Sequence, residues 1–335
     1  MAVLGVVGGD VDSVTTIWLP RLPGSAGELP AGVHVDIWTG GEDVPGSADE
    51  VEFLVVPFGV PGESLKRILH GLPRLKVIQL MSAGADHVLP AVPPGVTLCN
   101  ARGAHTAATA EWAVGAIIAA LRQFPRFALA QRDGRWDTAT SDSVAGQHVL
   151  IVGYGSIGAA VERRLAGWEV TIDRVARTAR AGRPATPQTP ATPQAPATPP
   201  VHALDRLPAL IPAADVVVIL VPVVEETRNM VDARFLAAMK DGALLVNAAR
   251  GAIVDTSALL AELTAGRLRA ALDVTDPEPL PPGHPLWSAP GLLLTPHVGG
   301  AVREAGDRAY EVVIAQIARY VAGQPLLNVI GPRGY

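Results

Sequence analysis

His148-Val149-Leu150-Ile151-Val152 runs without a break into Gly153-Tyr154-Gly155-Ser156-Ile157-Gly158, and the helix-like sequence AAVERRLAG follows. Residues 149–152 are apolar and largely β-branched, as suits a strand covered on both faces. Strand, Gly-x-Gly-x-x-Gly and helix in succession form the context in which this glycine pattern holds a dinucleotide. Gly153 would make the tight turn and Gly155 would let a pyrophosphate approach the backbone. Gly158 would let the helix pack close, with its N-terminal amides facing the anion. The alternative is an ordinary glycine-rich turn between strand and helix, and the flanking elements weigh against it.

Outward from this point, strand-like and helix-like runs alternate through most of the chain. The apolar runs at 3–7, 33–37, 53–56 and 77–80 are bounded by turn residues and read as one strand series. An Ala-rich helix follows over 106–122, broken by Pro125, and a polar stretch over 131–147 leads into a second series. The strands expected there lie at 148–152, 170–172, 216–221, 244–247, 270–274 and 292–294. Strands alternating with helices make parallel sheets, and two series imply two α/β domains of doubly wound parallel sheet, a Rossmann-type cofactor domain among them. The length of 335 residues also favours two cores over one. The tract GRPATPQTPATPQAPATPP at 182–200 cannot bury a core and reads as an exposed loop insertion with polyproline II character.

Composition narrows the function. With 49% apolar and 18% charged residues the chain is globular, and a net charge of −5 gives no basic footprint for nucleic acid. The lone cysteine, Cys99, excludes an intrachain disulfide framework and a thiolate metal cluster, and reads as a buried small hydrophobe. No metal site is expected. The N-terminus lacks the pattern of a signal peptide and the longest apolar stretch is too short to span a membrane, so a cytoplasmic location is the default expectation.

An acidic residue at the end of the strand after the fingerprint binds the ribose 2′-hydroxyl of NAD, whereas arginine there accommodates the 2′-phosphate of NADP. The segment here reads Val170-Thr171-Ile172-Asp173-Arg174-Val175-Ala176-Arg177. Asp173 is the candidate acid, although it comes early after Gly158. Arg174 and Arg177 set two cations where a 2′-phosphate would lie, which favours NADP over NAD.

Three further segments carry polar residues at or just beyond the ends of apolar strands, where doubly wound sheets place their ligands. They are LVNAARG with Arg250, LDVTDPEPL with Asp273 and Glu278, and LLLTPHVGG with His297. Hydride addition to a ketone builds negative charge on oxygen, so such a site needs a proton donor and a cation. Histidine suits the first need. A carboxylate on its other ring nitrogen would fix the tautomer and support the charged ring. Arginine can grip a carboxylate bidentately while polarising the neighbouring carbonyl. Each residue alone has a plain structural reading, as a packed histidine, a loop charge or a helix-cap partner. Together, beside the fingerprint, they point to catalytic reduction of a 2-oxo acid. A fourth segment, Leu80-Met81-Ser82-Ala83-Gly84-Ala85-Asp86-His87, puts a glycine-containing turn after a strand, where backbone N–H groups can hold an anion.

These residues together resemble the D-isomer-specific 2-hydroxyacid dehydrogenases, which include glyoxylate/hydroxypyruvate reductases and phosphoglycerate dehydrogenases. The likeness runs from Lys76 to Gly300 and is carried by SAGAD, TAATAEWAVG, GYGSIG, MKDGALLVNAARG, LDVTDPEPLP and TPHVGG. The resemblance implies that Arg250 binds substrate, His297 is the acid/base and Glu278 pairs with it. It implies that Ser82, Ala83 and Gly84 line the substrate carboxylate site. Thr106 and Asp273 would contact the nicotinamide end of the cofactor. Tyr154, Ser156, Ile157, Val221, Pro222, Thr227, Ala248, Ala249 and Gly299 would line the rest of the cofactor site, with Arg250 and His297 at its edge.

The fold so implied is a flavodoxin-like substrate domain at 1–99 and 298–335, with a Rossmann domain inserted at 100–297. A dimer contact would lie at about 124–145, around Trp136, making the protein a homodimer. Substrate would close the cleft between the domains and exclude water. The segment between Leu165 and Val170 is shorter than the family's, and the 182–200 loop is longer. The expected reaction is reduction of a small 2-oxo acid, such as glyoxylate or hydroxypyruvate, by NADPH. Two other readings compete: a dinucleotide-sensing regulatory protein on the same fold, and a phosphoglycerate-dehydrogenase-like enzyme. The intact Arg250, Glu278 and His297 set argues against the sensor, and no cationic pocket for a phosphorylated substrate stands out for the second.

Overall fold

The computed structural model describes residues 14–182 and 199–331. The run at 3–7 and most of the Pro/Thr tract lie outside them. Two compact units are formed, one from the chain up to His105 together with Arg303 onward, the other from Thr106 to Val302. These divisions fall slightly beyond the expected positions 99 and 298.

The first unit begins with β1 (Thr15–Leu19), β2 (Val33–Ile37) and β3 (Val51–Val56), followed by α1 (Gly62–Leu69), β4 (Val77–Leu80) and β5 (Thr97–Cys99). The strands are parallel in the order β2-β1-β3-β4-β5, the flavodoxin-like winding. β3 and β4 are buried almost throughout, which explains why VEFLVV and VIQL are apolar apart from Glu52 and Gln79 and show no strict alternation. α1 lays Leu65 and Leu69, one turn apart, on one face of this sheet with Trp18, Leu54 and Ile78. β1 was not among the expected strands. Thr15-Thr16-Ile17-Trp18-Leu19 is short and runs straight into Pro20, so its buried position beside β3 leaves little trace in the sequence.

The second unit opens with α2 (Thr106–Leu121) and α3 (Phe124–Arg132). The chain turns at Gln123, in the left-handed region at φ 54°, and Pro125 sits in the first turn of α3, where its missing N–H costs nothing. Then come β6 (His148–Val152), α4 (Ser156–Leu165), β7 (Thr171–Ala176), β8 (His202–Ala203), α5 (Leu207–Leu210) and β9 (Val216–Ile219). The unit closes with α6 (Ala233–Ala238), β10 (Leu244–Asn247), α7 (Thr256–Thr264), β11 (Arg269–Leu272) and β12 (Leu292–Leu294). All pair in parallel, in the order β12-β11-β10-β9-β6-β7-β8. The direction of winding reverses between β6 and β9, and that switch point is where a doubly wound sheet opens a crevice.

Small residues, Ala110, Ala113 and Ala116, let α2 approach closely, and with Ile117 they share a core with β6, β9 and β10. On the opposite face Leu207, Phe235, Leu236, Leu259 and Leu263 cover the same strands. Asp232 and Asp255 cap α6 and α7 by accepting backbone N–H groups, each worth about 1 kcal/mol. β7 continues to Ala176, well past the expected end at 172, and this extension bears on the cofactor site.

From Arg303 the chain returns to the first unit with α8 (Ala305–Val321), whose Ala309, Tyr310, Val313 and Ile317 pack on the sheet face opposite α1. The Tyr310 hydroxyl donates to the Arg21 carbonyl at 2.7 Å. Cys99 is buried there, and burial pushes its thiol up to about 11 despite a hydrogen bond with Gln316. Among the described residues no single helix is long and apolar enough to cross a membrane. α2 and α3 together are, but they are bent by 66° and α2 is part of the second unit's core.

Candidate active site

The glycines of the fingerprint each have a distinct surrounding. Gly153 lies at φ 109°, and a Cβ there would come within 2.5 Å of the Leu220 carbonyl carbon. A Cβ on Gly158 would come within 2.8 Å of the Gly153 oxygen, so only glycine lets α4 start this close to β6. Gly155, by contrast, faces open space. The amides of Gly153 and Tyr154 both donate to the Val175 carbonyl, at 2.8 and 2.9 Å, which anchors the loop to the end of β7. Gly155 is the N-cap of α4, and no side chain caps that helix. A tight turn, an open glycine face and an uncapped helix start fit a dinucleotide pyrophosphate.

Around this cradle, the Thr106 hydroxyl donates to Ser156 at 3.2 Å. Val221 is buried beside Gly153, and the Thr227 hydroxyl donates to the Pro222 carbonyl at 2.6 Å, closing the loop after β9. Ala248 and Ala249 follow β10, where Asn247 accepts the Ala249 amide at 3.0 Å.

Of the three charged residues read at the end of β7, two are engaged within the fold. Asp173 stands in the middle of β7, paired with Leu150, and accepts from His148 Nε2 at 2.9 Å. Arg174, opposite Ile151, grips Glu162 with Nε at 2.7 Å and a terminal nitrogen at 2.5 Å. The Tyr154 hydroxyl donates to the same carboxylate at 2.5 Å. Burial alone would push Glu162 up, but the hydrogen bonds from Arg174 and Tyr154 hold its carboxyl below the ordinary carboxylate range. Arg174 is therefore committed to α4, because β7 runs on to Ala176. Arg177 is the exposed cation just past the strand end. Arg180, which the sequence did not single out, donates to the Tyr154 carbonyl at 2.6 Å with its guanidinium 5.6 Å from the Tyr154 ring centre.

The chemically odd residues come together at the far ends of β10, β11 and β12. Asn247, Leu272 and Leu294 are in register across these neighbours. Arg250 follows β10 by three residues, Asp273 follows β11 directly, and His297 follows β12 by three. Gly251 allows the Arg250 loop to pack on Thr275, whose carbonyl a Cβ would overlap. Glu278 stands between two cis X–Pro bonds, Asp276–Pro277 and Glu278–Pro279. Its Oε1 lies 2.5 Å from His297 Nδ1. A carboxylate only accepts, so Nδ1 donates, and Nε2 is the nitrogen left to exchange a proton with a ligand. The side chains of His297 and Glu278 are 44% and 39% exposed, so the pair is reachable.

Asp273 is engaged within the chain. Its Oδ1 accepts from Thr295 Oγ1 at 2.6 Å and from the Val298 amide at 2.8 Å, and its Oδ2 accepts from the Gly299 amide at 2.7 Å. It is buried and holds the loop that carries His297.

Within the first unit, the turn at Ser82, Ala83 and Gly84 has its carbonyls engaged. Ser82 Oγ donates to Gly84, Asn100 Nδ2 to Ala83, the Ala101 amide to Ser82 and His105 Nε2 to Met81, at 2.7, 2.5, 2.9 and 2.9 Å. Asn100 and His105 follow β5, a strand too short to be read from the sequence.

Comparison with known proteins agrees with this geometry. Residues 114–299 match the family described as D-isomer specific 2-hydroxyacid dehydrogenase, NAD binding domain. The glyoxylate reductase of Thermofilum pendens is 33% identical over 266 residues, covering 77% of this chain and 75% of that protein. The D-3-phosphoglycerate dehydrogenase of Archaeoglobus fulgidus is 28% identical over 89% of this chain, which spans 55% of that longer protein. Among solved structures, a D-isomer specific 2-hydroxyacid dehydrogenase from Xanthobacter autotrophicus, in complex with NADPH and MES, superposes with a TM-score of 0.76. It is 27% identical, and the match covers 96% of this chain and 99% of that one.

Proposed function

Because this chain belongs to the D-isomer specific 2-hydroxyacid dehydrogenase family and is an NAD(P)-dependent oxidoreductase of 2-hydroxy acids, we propose that it reduces glyoxylate or hydroxypyruvate with NADPH. The observation that carries this reading is the 2.5 Å His297–Glu278 pair at the strand ends that also bear Arg250.

A bound nicotinamide dinucleotide supplies the hydride. Arg250 holds the substrate carboxylate and draws charge toward the carbonyl oxygen. His297 delivers the proton from Nε2 to that oxygen as it becomes a hydroxyl. Glu278 keeps the ring oriented through Nδ1 and balances its charge while it is protonated. In the first unit, Ser82, Ala83 and Gly84 are proposed to contribute backbone donors to the carboxylate. In the oxidative direction His297 takes the proton back.

NADPH is favoured over NADH because the segment past β7 reads Arg177-Thr178-Ala179-Arg180, with cations and no carboxylate. A homodimer is proposed because Phe124, Leu129 and Trp136 expose large apolar surfaces within one segment, Trp136 at 95%.

Absorbance at 340 nm, with either acid and each reduced dinucleotide, tests the proposal. Turnover with a clear NADPH advantage is expected, and Arg177→Ala should raise KM for NADPH while leaving that for NADH nearly unchanged. No turnover of either acid, or an NADH preference, would reject the substrate or the cofactor assignment respectively.

A further inference from the structure

We infer that Trp112 and Thr295 are positioning residues for His297, acting through Asp273 without touching substrate. The inference takes its functional meaning from the proposed role of His297 as proton donor. Its geometry lies wholly within the second unit.

Donor and acceptor roles in this chain of contacts are fixed by chemistry. An indole N–H can only donate, so Trp112 Nε1, on α2, donates to Thr295 Oγ1 at 3.0 Å. With that lone pair occupied, the single hydroxyl hydrogen of Thr295 is directed to Asp273 Oδ1, 2.6 Å away. The carboxylate in turn accepts the amides of Val298 and Gly299 at 2.8 and 2.7 Å. The His297 amide donates to the Asp273 carbonyl at 2.7 Å. Three consecutive amides, 297 to 299, thus converge on one aspartate, the first on its backbone carbonyl and the other two on its carboxylate.

His297 pays for this turn with a φ of 55°, a region that side-chain-bearing residues seldom adopt. Such a conformation persists only where its surroundings enforce it. They do so here from two sides. A Cβ on Gly299 would sit 2.7 Å from Asp273 Oδ2 and 3.3 Å from Trp112 Cγ, so carboxylate and indole close on the glycine together. The Cα–Cβ direction of His297 sets where Nε2 points, and Glu278, on a separate loop, restrains only the ring. Loss of the hydroxyl relay frees the turn, and Nε2 moves away from the path of the proton.

The test compares Thr295→Val, which keeps the shape and removes the hydroxyl, with Thr295→Ser, which keeps the hydroxyl, and Trp112→Phe, which keeps a ring without the N–H. Steady-state kinetics with hydroxypyruvate and NADPH are measured on the full chain, along with hydrogen exchange of the Val298 and Gly299 amides. Thr295→Val should lower kcat by about tenfold or more and change KM by less than about twofold. Thr295→Ser should restore most of the activity, and Trp112→Phe should show a smaller loss of kcat. Amide exchange at 298 and 299 should quicken in Thr295→Val and Trp112→Phe and stay slow in Thr295→Ser. Wild-type kcat and wild-type protection in Thr295→Val would overturn the inference. If Thr295→Val does not fold, the contrast between Trp112→Phe and Thr295→Ser decides in the same way. If wild type turns over no 2-oxo acid while the exchange pattern holds, the positioning relay stands and the proposed function falls.

Discussion

At the scale of residues, Glu278 and His297 make separable contributions. Glu278→Gln keeps an oxygen that can accept from Nδ1 but removes the negative charge that supports a protonated ring. A loss of roughly 10- to 100-fold in kcat is expected, with the ring still oriented, against roughly 100- to 10,000-fold for His297→Gln. Steady-state kinetics on the two variants check the order, and an unchanged kcat in Glu278→Gln would mean that orientation alone accounts for Glu278. Arg250→Lys keeps the charge and loses the fork, so KM for the acid should rise more than kcat falls. Arg250, Glu278 and His297 were legible because each is a polar residue at the end of an apolar run, a placement that burial alone does not explain. The surroundings of Asp173 and Arg174 could not be read, because their partners, His148 and Glu162, depend on how far β7 extends. Trp112 and Thr295 gave no signal at all: a hydrogen bond between residues on α2 and after β12 has no local pattern.

At the scale of elements, the glycine loop makes a sharp prediction. Gly155→Ala meets nothing within 4 Å, so it should leave the melting temperature nearly unchanged and weaken dinucleotide binding. Gly153→Ala meets the Leu220–Val221 backbone at 2.5–2.7 Å and sits at φ 109°, so it should lower stability by about 2 kcal/mol or more. Thermal melts beside fluorescence titration with NADPH separate the two, and equal melting losses would count against the assignment of the open face to the ligand. The link between α4 and β7 is acid-sensitive. Glu162 has its carboxyl lowered in the fold, so its contribution to stability is present above the ordinary carboxylate range and is lost as pH falls through the lowered value. Wild-type melting temperature should therefore drop more steeply below about pH 4.5 than that of Glu162→Gln. The main strands and α2 could be read from period and composition. β5 and β8 could not, because TLC and HA are short and only partly aliphatic, whereas the equally short β12 is marked by three consecutive leucines.

At the scale of the whole molecule, the chain was readable as two wound sheets because parallel strands covered on both faces are continuous apolar runs. The placement of β1 was not, since a central strand of five residues is defined by its neighbours β2 and β3 more than by its own sequence. The exposed Phe124, Leu129 and Trp136 predict a particle of about twice the 34.8 kDa chain mass in light scattering. Trp136→Asp should shift it toward a single chain, and an unchanged mass would place the contact elsewhere.

The proposed reaction requires hydride to arrive at C2 of a 2-oxo acid beside His297, giving the D-isomer for which the family is named. NADPH carrying deuterium at the transferable C4 position, incubated with hydroxypyruvate and the enzyme, tests this most directly. The expected product is a D-configured 2-hydroxy acid with deuterium at C2. A product of the L-configuration, or one without deuterium at C2, would contradict it.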